Sequence, residues 1–419
     1  MNEGTQGAVK SVKATSRPKY VVGMDVHSRK LAISIWESTD PWHPVLYAEK
    51  PKLDISQMKQ YYQENVPLES ITIIEASTNS AMIKNMLDEI GFRAEIVRAD
   101  AIAGKRCKRR VCDIEDARTL ANAYIHGDIT EFIWTPSDEY TEYRDILFAY
   151  RDAVKEMTRT SNRIWSICCR YGFDFDIKAG ETKADSIREM IKELNVSGFI
   201  KDRLEMMVKD YAYYLERRSA LERKMAEIVL GCRTMLALMQ LPGVYFHAAF
   251  ATQAVVENAH RFPTASKLAA YGGFAMIGNT SGEEEERYKS KGGSGKPLDG
   301  DGRRDLKTFF CEAGHTTLNK CPKSDVGKWG WRLIFKGKHK NKAACAVGRK
   351  LLTYSWHIMR GDPTPNREGE SFFKRKMIRF YSELGAARMK ELGFANRSEF
   401  AKRMAEDIYG HLPQKQNAA

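Results

Sequence analysis

Four carboxylates in this chain have the types and the spacing that hold hard divalent cations. Asp25 closes the apolar run YVVGMD, Glu75 closes ITIIE, and Asp113 and Asp116 stand three residues apart in a helical pattern. Residues three apart share a helix face. Mg²⁺ takes oxygen ligands, usually one or two carboxylates with water and substrate phosphate oxygens, and two such ions can flank one scissile phosphate. Four acids gathered without metal would raise one another's pKa values, whereas a pair of Mg²⁺ or Mn²⁺ ions keeps all of them anionic. The quartet therefore predicts a two-metal site that cuts nucleic acid.

Ser281, in the run NTSG, is a second candidate. A serine hydroxyl needs a base or a metal to become a nucleophile, and no histidine stands near it in the sequence. A turn or cap serine is the competing reading. Lys289 and Lys291 follow it and could hold phosphate. Arg106, Lys108, Arg109 and Arg110 immediately precede the Asp113 helix and would border a metal site there. Arg303 and Arg304 open another helical stretch. Further on, Lys336, Lys338 and Lys340 are interleaved with Trp329, Trp331 and Phe335, a mixture that can track a phosphate backbone while aromatic faces stack on bases. Core tryptophans beside a solvated charged face are the alternative. Cys311, His315, Cys321, His339 and Cys345 are too irregularly spaced for a zinc site.

The partner these groups would meet is indicated by charge. Across 419 residues, 67 Lys and Arg outweigh 54 Asp and Glu, giving +13 and a pI near 9.2. Such a balance favours a polyanion such as DNA or RNA. The eight cysteines include no C-x-x-C pair, which speaks against a disulfide framework and fits a reducing cytoplasm. No stretch approaches the ~20 apolar residues of a membrane span, and residues 1–19 read as a disordered basic arm without the apolar core of a signal peptide.

The elements that must position these groups follow from periodicity. Tyr20 to Asp25 and Leu31 to Trp36 predict a hairpin, Val45 to Ala48 a third strand, and Ile71 to Glu75 a strand covered on both faces. Asn79 to Ile90 predicts a helix ended by Gly91, Ala94 to Val97 another strand, and Asp113 to His126 another helix. Three strands followed by βαβα is the ribonuclease-H-like succession, a mixed sheet with helices on its faces. Pairing of the first and fourth strands would bring Asp25 beside Glu75. From Tyr143 the pattern becomes a heptad seam through Leu147, Tyr150, Val154, Met157, Ser161, Ile164, Cys168 and Tyr171. A second seam runs through Met207, Tyr211, Tyr214, Arg218, Leu221, Met225, Ile228 and Cys232. The two long helices predict a spacer arm, a dimerisation element or an intramolecular hairpin. AVVENAHRF and SKLAAYGGF read as helical, 278–302 as a long loop, and Ser371 to Leu412 as two amphipathic helices.

Taken in order, GMDVHS, IIEAS, DIEDAR, LPGV, AVVENAHRF, LAAYGGF and TSG resemble the DEDD transposases of bacterial insertion sequences, the IS-110 family. The resemblance implies a RuvC-like nuclease domain at 20–135, a coiled-coil arm at 140–235 and a mainly helical transposase domain at 236–361. Residues 362–419 form a helical extension without a family counterpart. It further implies that Asp25, Glu75, Asp113 and Asp116 bind the metal ions and that Ser281 is the nucleophile. The implied partners are target and donor DNA, a guide called the bridge RNA, and other copies of the chain in dimers and tetramers, at the bacterial nucleoid. The acidic run Glu283 to Glu286 and Cys112 depart from the family pattern. A hydrolytic nuclease or Holliday-junction resolvase using water, and a non-catalytic nucleic-acid-binding protein, are the competing functions.

Overall fold

The computed structural model describes residues 18–26, 30–51, 54–98, 113–129, 131–172, 184–275, 302–362 and 369–410. The chain divides into two compact units, Met1–Pro136 and Ser137–Ala419. The predicted arm at 1–19 lies almost wholly outside the described residues.

The first unit is built on a five-stranded mixed sheet of order β3-β2-β1-β4-β5. Its strands are β1 (Tyr20–Val26), β2 (Lys30–Glu37), β3 (Asp40–Pro51), β4 (Ser70–Glu75) and β5 (Arg93–Val97). β1 pairs antiparallel with β2 and parallel with β4, so a strand from the opening hairpin becomes the centre of the sheet. Val22, Met24, Ile33, Ile35 and Ile74 point to one face, where α1 (Ile55–Asn65) and α2 (Ser80–Glu89) supply Met58, Tyr62, Ile83 and Leu87. Val21, Trp36, Ile71 and Ile73 point to the other, where α3 (Asp113–Ile125) supplies Leu120 and Ala121. Burial on both faces explains why these strands are apolar at consecutive positions.

Two features differ from the sequence reading. β3 extends from Asp40 to Pro51, well past Val45 to Ala48, because it pairs along the full length of β2. As an edge strand it tolerates Pro44 and Pro51, whose missing N–H groups can face outward. Helix α1 is new, and it carries a legible start signal. The Asp54 side chain accepts from the Gln57 N–H while the Gln57 side chain accepts from the Asp54 N–H, a reciprocal cap.

The second unit is helical throughout its described residues. α4 (Asp138–Arg170) and α6 (Gly198–Gly231) form an antiparallel hairpin, with Lys224 Nζ at the end of α6 lying 2.9 Å from Glu142 at the start of α4. At about 1.5 Å per residue each spans roughly 50 Å. α5 (Ala184–Glu193), absent from the sequence reading, closes the far end: its Ile187 and Ile191 join Ile164 and Cys168 of α4 with Leu204 and Val208 of α6. At the near end Ile146, Leu147, Met225 and Val229 enter the large core of the unit. Between Val208 and Met225, α6 buries no residue fully.

That core surrounds α8 (Phe246–Val256), buried at ten of its eleven positions, which follows the short α7 (Arg233–Leu238). A helix apolar on all sides belongs inside a bundle. The AVVENAHRF segment is not one helix: α8 ends at Val256, Glu257 takes φ +56°, and a single 3₁₀ turn covers Ala259–Arg261. α9 (Ala265–Ala269) runs into a π turn at Ala270–Phe274. Then come α10 (Arg304–Lys320), α11 (Asp325–Phe335) and α12 (Lys340–Met359). The carboxy-terminal region holds three helices where two were expected, α13 (Glu370–Leu384), α14 (Ala386–Glu391) and α15 (Arg397–Tyr409), because Gly385 breaks the first stretch. Phe373, Phe380 and Phe400 are fully buried in the same core, so the extension is part of this unit's interior.

Candidate active site and nucleic-acid surfaces

In the first unit the parallel register of β1 and β4 runs from Tyr20 opposite Ser70 to Met24 opposite Ile74. The same offset makes Asp25 and Glu75 the next rung. Side chains alternate along a strand, so Asp25 shares the face of Val21 and Gly23, and Glu75 that of Ile71 and Ile73. This is the face α3 covers. A Cβ at Gly23 would run into the Ala117 carbonyl, placing the backbone of α3 directly on β1 one residue beyond Asp116. Asp25 is buried, at 7% exposure, and Glu75 and Asp116 are half-buried. Both acids end parallel strands at their carboxyl edge, where open α/β sheets place their ligand sites.

Asp113 opens α3, but its side chain lies outside the described residues, as do Arg106, Lys108, Arg109 and Arg110. Among the described residues no three His, Cys, Asp or Glu side chains come close enough together to hold a metal ion. The donors that β1, β4 and α3 bring to one face are carboxylate oxygens, the chemistry a hard cation requires.

Ser281, Lys289 and Lys291 also lie outside the described residues, yet the flanks of their segment meet. Gly302 sits against the backbone of Gly273, and the Arg303 N–H donates to the Tyr271 carbonyl at 2.7 Å. The two ends of the segment thus lie side by side. Cationic groups gather there. Arg303 makes a two-point contact with Asp305, 2.6 and 3.2 Å, and its guanidinium lies 5.9 Å from the Phe148 ring centre. Arg261 covers the Phe262 and Tyr271 rings at 4.6 and 4.9 Å. Arg144 donates to the Ala254 and Val255 carbonyls, each at 3.0 Å. Burial lowers the pKa of Arg144, and the nearby charges of Arg303 and Arg261 lower it further. Arg144, Arg261 and Asp305 were not singled out in the sequence, where each reads as one more charged residue on a helix. Arg304 is exposed beside them.

The basic stretch divides into buried and open parts. The Trp331 indole N–H donates to the Leu318 carbonyl at 3.0 Å, and Trp329 lies against the core beneath Lys350 Nζ, 4.1 Å from its ring centre. Phe335 is the open aromatic, 82% exposed and tilted against Trp331 at 5.8 Å. With Pro322, Lys328 and Arg332 these two rings line a shallow groove, and Lys336, Lys338 and Lys340 are exposed beyond it.

Comparison with known families locates one part of the chain. Residues 235–325 match the Transposase IS116/IS110/IS902 family. The match runs from α7 into the start of α11 and so includes both flanks of the Ser281 segment. It supports transposase activity and a DNA partner for this chain. No curated protein matches the chain. Among the described residues no helix is long and apolar enough to cross a membrane.

Proposed function

We propose that the chain is an RNA-guided DNA transposase that exchanges strands through a covalent serine–DNA intermediate, with a RuvC-like first unit. The observation that carries this reading is the rung formed by Asp25 and Glu75 on the face beneath α3, in a chain whose second unit matches a transposase family. Asp25, Glu75, Asp113 and Asp116 are the residues that would hold Mg²⁺ or Mn²⁺. When bound, two such ions would polarise the scissile phosphate and neutralise charge on the attacking and leaving oxygens.

The chain's own groups divide the remaining work. The Ser281 hydroxyl attacks phosphorus; a Ser281–O–P bond forms, the bond to the 3′ oxygen breaks, and the hydroxyl proton passes in net to the released 3′-hydroxyl. A 3′-hydroxyl from the other strand later attacks the phosphoserine and restores the serine. Phosphodiester energy is conserved, so no nucleotide triphosphate is needed. Arg144, Arg261 and Arg303, at the root of the serine segment, form a positive collar suited to the flanking phosphates. The guide RNA, the dimer or tetramer and the serine's role rest on the family resemblance.

Incubating purified protein with Mg²⁺, matching RNA and target DNA should give a protein–DNA adduct that survives a denaturing gel. Asp25→Asn and Ser281→Ala should each abolish it. Continued DNA cutting by Ser281→Ala would replace this reading with a hydrolytic nuclease that uses the acids and water.

A further inference from the structure

None of the six described cysteines is in a disulfide, and the thiols of two of them meet. Cys311 on α10 and Cys345 on α12 bring their Sγ atoms to 3.3 Å, a contact made across two helices and 34 residues of chain. The contact is fixed by the backbones around it. A Cβ at Gly314 would enter the Ala344 carbonyl, and one at Gly348 would enter the Phe310 carbonyl. The helices therefore touch on both sides of the thiol pair, next to Cys345 and next to Cys311. With the main chains this close on either side, the two sulfurs need to approach only from 3.3 Å to the roughly 2 Å of an S–S bond. Both residues are half-buried.

We propose that Cys311 and Cys345 form an oxidant-sensitive dithiol, a modification site at which a hydroperoxide drives formation of a disulfide joining α10 to α12. One thiol of the pair donates to the other sulfur, and the nearby Lys307 charge favours a thiolate at either position. One thiolate of the pair takes the terminal oxygen of the hydroperoxide to give a sulfenic acid and releases an alcohol, or water from hydrogen peroxide. The other sulfur then attacks the sulfenyl sulfur, the S–S bond forms and water leaves. Two thiols and one hydroperoxide become one disulfide, one alcohol and one water; the thiols supply both electrons.

The test uses the full chain, treated with hydrogen peroxide, alkylated without reduction and mapped by peptide mass spectrometry. The expected result is a cross-linked pair of peptides containing Cys311 and Cys345, reversed by dithiothreitol and absent from Cys311→Ser and Cys345→Ser. As a check that does not depend on the variants folding, phenylarsine oxide, which bridges adjacent thiols, should protect these two cysteines together from alkylation. Sulfenic or sulfinic acid at either of these cysteines without the cross-link, oxidation spread evenly over all cysteines, or arsenical protection without peroxide cross-linking would each overturn the proposal.

Discussion

Gly23 and Ala117 touch backbone to backbone, strand β1 against helix α3. Through this contact the strand that carries Asp25 fixes the height of the helix that carries Asp116. A methyl group at position 23 would be forced into the Ala117 carbonyl, so α3 must lift from the sheet. Overpacking of this kind costs about 1–3 kcal/mol. Gly23→Ala should lower the unfolding free energy read from urea titrations by that amount, and it should weaken Mg²⁺-dependent stabilisation against heat more than it weakens the fold. A variant with unchanged melting and unchanged metal response would show that the contact does not govern the acids.

A separate prediction concerns the root of the Ser281 segment. Burial alone would raise the Asp305 carboxyl, but the hydrogen bonds and charge of Arg303, with the Leu306 N–H, outweigh it and hold the pKa below its ordinary 3.8. A depressed folded pKa means that the unfolded chain binds the proton more tightly. The pair's stabilisation is therefore complete above the unfolded value of 3.8 and is lost as pH falls through the folded one. At neutral pH Asp305→Asn should cost about 1.5–3 kcal/mol, the range for hydrogen bonds to charged groups. Urea titrations at descending pH should show the two proteins converging below 3.8; a constant gap would contradict the assignment.

The amino-terminal half of the fold was legible because its signals are local. Period-two and continuous apolar runs mark β1, β2 and β4, and a helical stripe marks α2. Helix α1 was missed although Asp54 and Gln57 announce it, because only Met58 and Tyr62 are buried along it and its apolar stripe is thin. The acids were visible as strand ends, but their shared face depends on the β1–β4 register, which is a long-range property. Arg144 and Arg261 could not be found at all. Nothing local distinguishes an arginine that reaches the Ala254 and Val255 carbonyls, some 110 residues away, from one that is solvated.

Lys376 ties the carboxy-terminal extension to the preceding part of the second unit. Its Nζ donates to the Met239 carbonyl at 2.9 Å and to the Leu241 carbonyl at 2.6 Å, just after α7. Lys376→Met keeps the length of the side chain and removes both bonds. A loss of about 1.5–3 kcal/mol is expected, with α13 becoming an early site of limited proteolysis. Retention of full protease resistance would mean that the buried phenylalanines alone hold the extension.

Phe335 offers the cleanest separation of binding from stability. Being 82% exposed, it contributes little to the core, and Phe335→Ala should leave the unfolding midpoint unchanged. Loss of one base-stacking surface costs about 1–3 kcal/mol. Fluorescence anisotropy with a labelled single-stranded oligonucleotide should report a weakening of that size, compared with Trp331→Phe, which should instead cost stability by losing the bond to Leu318. Equal affinity of Phe335→Ala and the unaltered protein would remove this groove from the nucleic-acid surface.

The long hairpin of α4 and α6 is clamped at both tips and thinly upholstered along its waist, where sixteen successive positions of α6 never fully leave water. A lever made this way yields at mid-span before either tip lets go, since opening there sacrifices the least apolar contact. Its two tips can therefore tilt against each other while each keeps its own shape.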